Sequence, residues 1–170
     1  AVDKRLRASW EHSVEVASIC HVLASNFTKL KPDQATLAGL VHEIGILPIL
    51  TLAEDNPKIL EHEPVLDKII SRLQGKVGRA ILKAWDFPDE IKGVAVGCTD
   101  FTRDEGTAPD YIDVVTVAKL QCYPEGEGPY AELDTSTIPA FRKLGLSHEV
   151  DVHHVDELAE EVENAKQAFS

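Results

Sequence analysis

His42 and Glu43 are adjacent titratable residues inside the apolar run Leu37-Ala-Gly-Leu-Val-His-Glu-Ile-Gly45. A charge placed in such a run needs a partner, because burying it alone costs far more than a chain can recover elsewhere. Pro32 and Asp33 are helix-start residues, and Gly45 suits the left-handed position just past a helix end, so residues 32–45 are expected to form one central helix. His42 and Glu43 then occupy its last turn, where the exposed carbonyls favour an imidazolium and disfavour a carboxylate. Glu43 therefore calls for a cation: a metal, a Lys or Arg, or His42 itself. An earlier segment, residues 8–27, reads as a helix on which His12, Val16, Ile19 and Leu23 form one inward row. His12 on one helix and His42-Glu43 on another could together ligate a divalent metal, since ligands from facing helices are a normal way to build such a site. The simpler alternative is a buried, hydrogen-bonded cluster that orients two helices.

Other residues with chemical potential carry less. His153-His154 adjoin Asp151 and Asp156, but neighbours on a helix point about 100° apart, and a solvated face is the expectation. Cys98 has no His at motif spacing and reads as a small core residue. Gly93, Gly97 and Gly106 are not a phosphate loop, because no Lys-Ser/Thr follows them. His21 is expected in a groove or on the surface, and Trp10 and Trp85 are expected to anchor the core between helices.

The elements that must position these residues come from a chain of 170 residues, 44% hydrophobic, enough for one domain spanning residues 1–170 with a real core. The net charge of −12 is relieved by no Lys/Arg cluster with interleaved aromatics, which argues against nucleic acid as a partner. Cys20, Cys98 and Cys122 are odd in number and share no short spacing, so a reducing, cytoplasmic setting is expected. No apolar run is read as approaching a membrane span, and no signal peptide opens the chain. Methionine is absent, even at position 1, which suggests either an excised segment or methionines missing from the sequence.

Beyond the central helix, Pro48 within Ile46-Leu-Pro-Ile-Leu50 enforces a stop or kink before a second short helical piece. A polar helix is expected over 64–73 and another over 76–85, with Gly78 packing its backbone closely on a neighbour. Phe87-Pro88 turns into a further helix start, residues 91–98 read as helical, and 102–110 as a loop. Residues 111–122 form a strongly apolar helix, Pro124 to Pro129 an acidic and mobile loop, 138–144 a short helix ended by Gly145, and 155–169 a charged terminal helix. The expected fold class is all-α, a compact bundle of about seven or eight helices.

Three motifs in this order and spacing carry a resemblance: Trp10-Glu-His-Ser13, then Leu37-Ala-Gly-Leu-Val-His-Glu-Ile-Gly45, then Val77-Gly-Arg-Ala-Ile-Leu-Lys-Ala-Trp85 with Phe87-Pro88. Together with Phe141-Arg-Lys-Leu-Gly-Leu146 they resemble the HD-related output domain, the HDOD family of bacterial signalling proteins, and its HD-like fold. The likeness extends over about residues 8–170 and implies the C-terminal portion of such a protein, without its preceding helical half. The parent superfamily comprises metal-dependent phosphohydrolases whose ligands are a His, a His-Asp pair and a later Asp. His12 matches the first, and His42 with Glu43 matches the pair except that Glu replaces Asp. The later Asp falls, by the resemblance, at Lys119, a cation that would repel a metal and could pair with Glu43 instead. Asp113 or Asp100 could restore a ligand only by an unforeseen geometry.

The resemblance with these substitutions implies a non-catalytic signalling or scaffold domain acting through contacts with a protein partner or a neighbouring domain. Its relic positions His12, His42 and Glu43, with Lys119, would form a structural polar cluster without a cofactor. The alternatives are a metal-dependent phosphohydrolase with a divalent metal at His12, His42 and Glu43, or a nucleotide sensor using the same pocket. An apolar patch on the first two helices, covered by a second copy or a partner, is also expected.

Overall fold

The computed structural model describes residues 2–124, 126–147 and 155–170. Among them lie ten α-helical segments and no strand: α1 (Val2–Phe27), α2 (Pro32–Val41), α3 (Ile46–Glu54), α4 (Pro57–Leu60), α5 (Glu63–Ala84), α6 (Asp89–Lys92), α7 (Val94–Gly97), α8 (Tyr111–Gln121), α9 (Pro139–Lys143) and α10 (Asp156–Gln167). The all-α expectation holds. Four of the segments, α4, α6, α7 and α9, are a single turn or little more, and six are longer.

The axis of the bundle is α1 rather than the 32–45 segment. It packs against α2, α3, α8 and α10, and between Val16 and Ala24 it is buried almost all round. Its hydroxyl and amide side chains avoid stranding polar atoms by bonding back to the previous turn: Ser18 to the Val14 carbonyl, Ser25 to His21, Asn26 to Val22. Gly39 lets α2 lie directly on α1, since a Cβ there would stand 2.8 Å from the Ala17 Cα and 3.0 Å from the Cys20 Sγ. Two small residues thus set how near His12 and His42 come.

Helix α2 ends at Val41, and a turn over residues 42–45 leads straight into α3. The break before Pro48 is as expected, but Gly45 is not left-handed: it has φ −64° and ψ −16°. Its smallness serves close approach instead. A Cβ on Gly45 would collide with the Gln74 carbonyl oxygen and stand 2.6 Å from the Gly78 nitrogen. Gly78 does pack closely, as expected; a Cβ there would meet the Ala95 Cβ at 2.8 Å. The nearly continuous run from Pro32 to Glu54 is long and apolar enough to span a membrane by length and composition, contrary to the reading that no such run exists. Here it supplies core contacts through Ala35, Ala38, Val41, Ile49, Leu50 and Ala53.

Residues 63–84 form one continuous helix where two were expected. Gly75 does not break it, because a Cβ there would face the Ala95 carbonyl oxygen at 3.1 Å, so the glycine serves packing against α7. The helix closes with Asp86 at φ 53°; the Asp86 and Phe87 amides donate to the Lys83 and Leu82 carbonyls in a Schellman arrangement. Trp10 and Trp85 are 51% and 62% exposed, not core anchors. Trp10 precedes the fully buried part of α1 and packs edge-on against Phe169, while Trp85 follows the last core residue of α5, Leu82. Of the first two helices only α1 exposes a large hydrophobic side chain among the described residues, Trp10, while Leu47, Leu52, Val65 and Leu73 expose theirs on α3 and α5.

Helix α8 is buried at every position except Ile112. Asp110 caps it by a reciprocal pair of bonds with Asp113. Arg103 reaches Asp110 at 2.6 Å and Asp113 at 3.2 Å, and Lys143 of α9 reaches Asp113 at 3.4 Å. This network ties the loop before α8 and α9 to the core. In the acidic loop read as mobile, Gly128 packs against Tyr123, whose ring a Cβ would meet at 2.5 Å; Glu125 lies outside the described residues.

Candidate functional site

The turn between α2 and α3 brings together the three residues read as ligands. His12 Nε2 and His42 Nε2 lie 3.8 Å and 3.7 Å from the same Glu43 oxygen, Oε1. The two imidazole rings are 5.6 Å apart, and one potential ligand atom from each residue falls within 4.8 Å of the others. These separations exceed hydrogen-bond length, so the cluster is an open triangle of donor atoms.

His42 is fully buried. Its Nδ1 lies 2.5 Å from the Gly39 carbonyl oxygen, one turn back on α2; that oxygen can only accept, so Nδ1 carries the proton. Nε2 is left with a bare lone pair, and it has no hydrogen-bond partner. Burial, then the Lys119 charge, with His12 adding to them, lower its pKa to about 3 against the opposing Gly39 bond. His42 is therefore neutral, the form in which an imidazole ligates. The other buried side-chain atom without a partner among the described residues is Gln74 Oε1, on the stretch of α5 that presses on Gly45.

His12 and Glu43 open onto a groove of about 360 Å³ floored by Ile46, Leu50 and Ile70 and edged by Arg5, Ser9 and Tyr123. Arg5, Ser9 and His12 follow each other at helical spacing on α1, a signal present in the sequence that the motif reading passed over. Tyr123, with its ring centroid 6.4 Å from that of His12, follows α8 and had no such signal. Arg5 is held by Asp67 at 2.8 Å.

Lys119 stands behind the triangle, 3% exposed. Its ammonium lies 3.4 Å from the Cys98 carbonyl oxygen and 3.8 Å from the Cys98 sulfur, under the rings of Phe101 and Tyr130 at 6.0 and 5.8 Å. Burial pulls its pKa down, but Cys98, Tyr130 and Glu43 outweigh it and hold the ammonium charged. It makes no direct ion pair with Glu43 among the described residues; the two act on each other through space. Cys98 is core, as read, with its thiol pushed up by burial first.

Asp100 is turned into its own loop, bonding Thr102, and Asp113 is consumed by Arg103 and Lys143. Neither joins the triangle. His21 sits at a groove edge, 3.2 Å from the Thr36 hydroxyl. His153-His154 lie outside the described residues.

The donor set fits one divalent ion in part. Two neutral-capable imidazoles and a carboxylate are a known three-ligand set that leaves positions for water, and the bare His42 Nε2 is what such a ligand looks like. The buried Lys119 ammonium beyond it opposes added positive charge there.

An all-helical bundle that brings a His from its first helix to a His-acid pair is the HD type of architecture. The chain belongs to the HDOD family: the HDOD domain profile matches residues 2–96, more than half of its length. A crystal structure from Shewanella amazonensis SB2B, provisionally named a metal-dependent phosphohydrolase, is similar over 98% of this chain at 28% identity and a TM-score of 0.79. The present chain spans 60% of that one. No curated protein matches it.

Proposed function

We propose that this chain is a non-catalytic output or scaffold domain of bacterial signal transduction, working through contacts with another protein or a neighbouring domain. The observation that carries the reading is Lys119. A charged ammonium, 3% exposed and acting electrostatically on both His42 and Glu43, opposes any further positive charge in the triangle where little solvent screens it. Glu43 then has its compensation from the Lys119 ammonium, and the cluster serves to hold α1 against the α2–α3 turn.

A second reading has its own observation: the bare His42 Nε2 within a triangle of possible ligands favours a metal-dependent phosphohydrolase. His12, His42 and Glu43 would hold the ion, which when bound supplies acidification of water and polarisation of a phosphoryl oxygen. The protein's own part would be to present a neutral His42, oriented by Gly39, and to line the groove with Arg5 and Ser9 toward an anionic substrate.

Metal analysis of protein purified without chelator, paired with hydrolysis of bis(p-nitrophenyl) phosphate and of cyclic dinucleotides with added Mn²⁺, separates the two. The expected result is substoichiometric metal and background turnover. Turnover that disappears in Glu43→Gln would overturn the non-catalytic reading.

A further inference from the structure

The continuity of α5 has a consequence for charge. Lys68, Arg72, Lys76, Arg79 and Lys83 recur every three or four residues, so at 3.6 residues per turn they fall within an arc of about 80° and extend over about 22 Å. All five are exposed, and none makes an ion pair among the described residues. A chain of net charge −12 thus places five of its 17 basic residues in one unpartnered row. The buried residues of the helix, Leu66, Gly78 and Leu82, flank this arc without falling inside it. Beside the cations lie three exposed apolar residues, Leu73, Ala80 and Ala84, of which Leu73 is 45% exposed and both alanines are open.

We infer that this face of α5 is a docking surface for an acidic amphipathic helix of a protein partner. Carboxylates at i, i+4 on such a helix meet the cation row, and its apolar residues pack on Leu73, with Ala80 and Ala84 small enough to let the two backbones approach. These apolar residues distinguish this occupant from duplex nucleic acid, which the overall negative charge also repels. One leucine and two alanines are too little to enter a bilayer. The acidic helix of a second copy, α10, offers Asp156, Glu157, Glu160, Glu161 and Glu163, but its Leu158 and Val162 are buried in its own bundle, so it lacks the matching apolar row. The inference names the partner class of the protein-contact function proposed above and rests on that reading, while using none of the residues of the His12–His42–Glu43 cluster.

The test uses the full chain and a synthetic helical peptide carrying Glu at i, i+4 beside a row of Leu, followed by fluorescence anisotropy. Saturable binding is expected, weakened at least about tenfold by the exposed double change Lys76→Glu/Arg79→Glu and several-fold by Leu73→Ser. Circular dichroism of each variant checks that the fold is retained. Binding unaffected by the charge reversal, equal binding of a peptide with Ser in place of Leu, or tighter binding to a short DNA duplex or to phosphatidylserine vesicles would each overturn the inference. So would a dimer in sedimentation that the double change abolishes, which assigns the face to a second copy. Phosphodiester hydrolysis, by contrast, would sink the non-catalytic reading and leave the peptide result standing.

Discussion

His42 is a histidine that the fold keeps neutral. Its pKa falls from an ordinary 6.5 to about 3 in the folded chain, so between those values the unfolded chain takes up a proton that the folded chain refuses. Stability is therefore complete above pH 6.5 and is lost as the pH falls below it, with a slope approaching about 1.4 kcal/mol per pH unit from this group. Urea midpoints at pH 7, 6 and 5 should fall more steeply for the native chain than for His42→Gln; parallel curves would remove His42 as the cause. Lys119→Met takes away a charge that depresses His42, and the imidazole titration followed by NMR should move upward. No movement would mean that Lys119 does not act on the site and that the main support for the non-catalytic reading is gone. His12, His42 and Glu43 were legible because apolar surroundings and helical spacing mark them. The surroundings of Lys119 were not, since Cys98, Phe101 and Tyr130 come from three other segments.

Elements meet in this bundle through glycines that are small for a neighbour's sake. A side chain on Gly45 drives into the Gln74 carbonyl, which is backbone and cannot swing aside. Gly45→Ala should destabilise the chain by about 1–3 kcal/mol or more and disturb the turn holding His42 and Glu43. An unchanged melting temperature would show that α5 and the turn are not held in this contact. The sequence reading assigned Gly45 to a left-handed helix end, because a glycine after an apolar helix is locally the same in both roles; only the position of α5 distinguishes them. The same local ambiguity at Gln74-Gly75 split α5 in two and hid the alignment of its cations. Arg103 is a different kind of tie. It is the closest cation to Asp113, whose side chain is 2% exposed, and Arg103→Ala leaves that carboxylate with Lys143 and the Asp110 amide. A loss of about 3–5 kcal/mol in chemical denaturation is expected, against less than about 1 kcal/mol for the exposed Arg142→Ala, despite its bonds to Asp104.

At the scale of the whole molecule, α10 packs chiefly on α1, where it buries Leu158 and Val162 and bonds Asn26 through Glu161. A chain ending after Ser147 should lose of the order of 4 kcal/mol from those two apolar side chains. A thermal transition unchanged by the truncation would show that the bundle closes without α10. The sequence by itself determined the helical class, most helix ends, and the three residues of the site. Those follow from periodicity, from Pro, Gly and capping residues, and from polar groups standing where apolar ones are expected, all of them properties of neighbours along the chain. Only the tertiary structure decided that α1 is the axis, that Gly39 and Gly45 are contacts rather than punctuation, that Trp10 and Trp85 face solvent, and that His42 keeps a bare nitrogen beside a buried ammonium. Each of these depends on atoms brought together across tens of residues, where burial and electrostatics are set by packing and no local pattern records them.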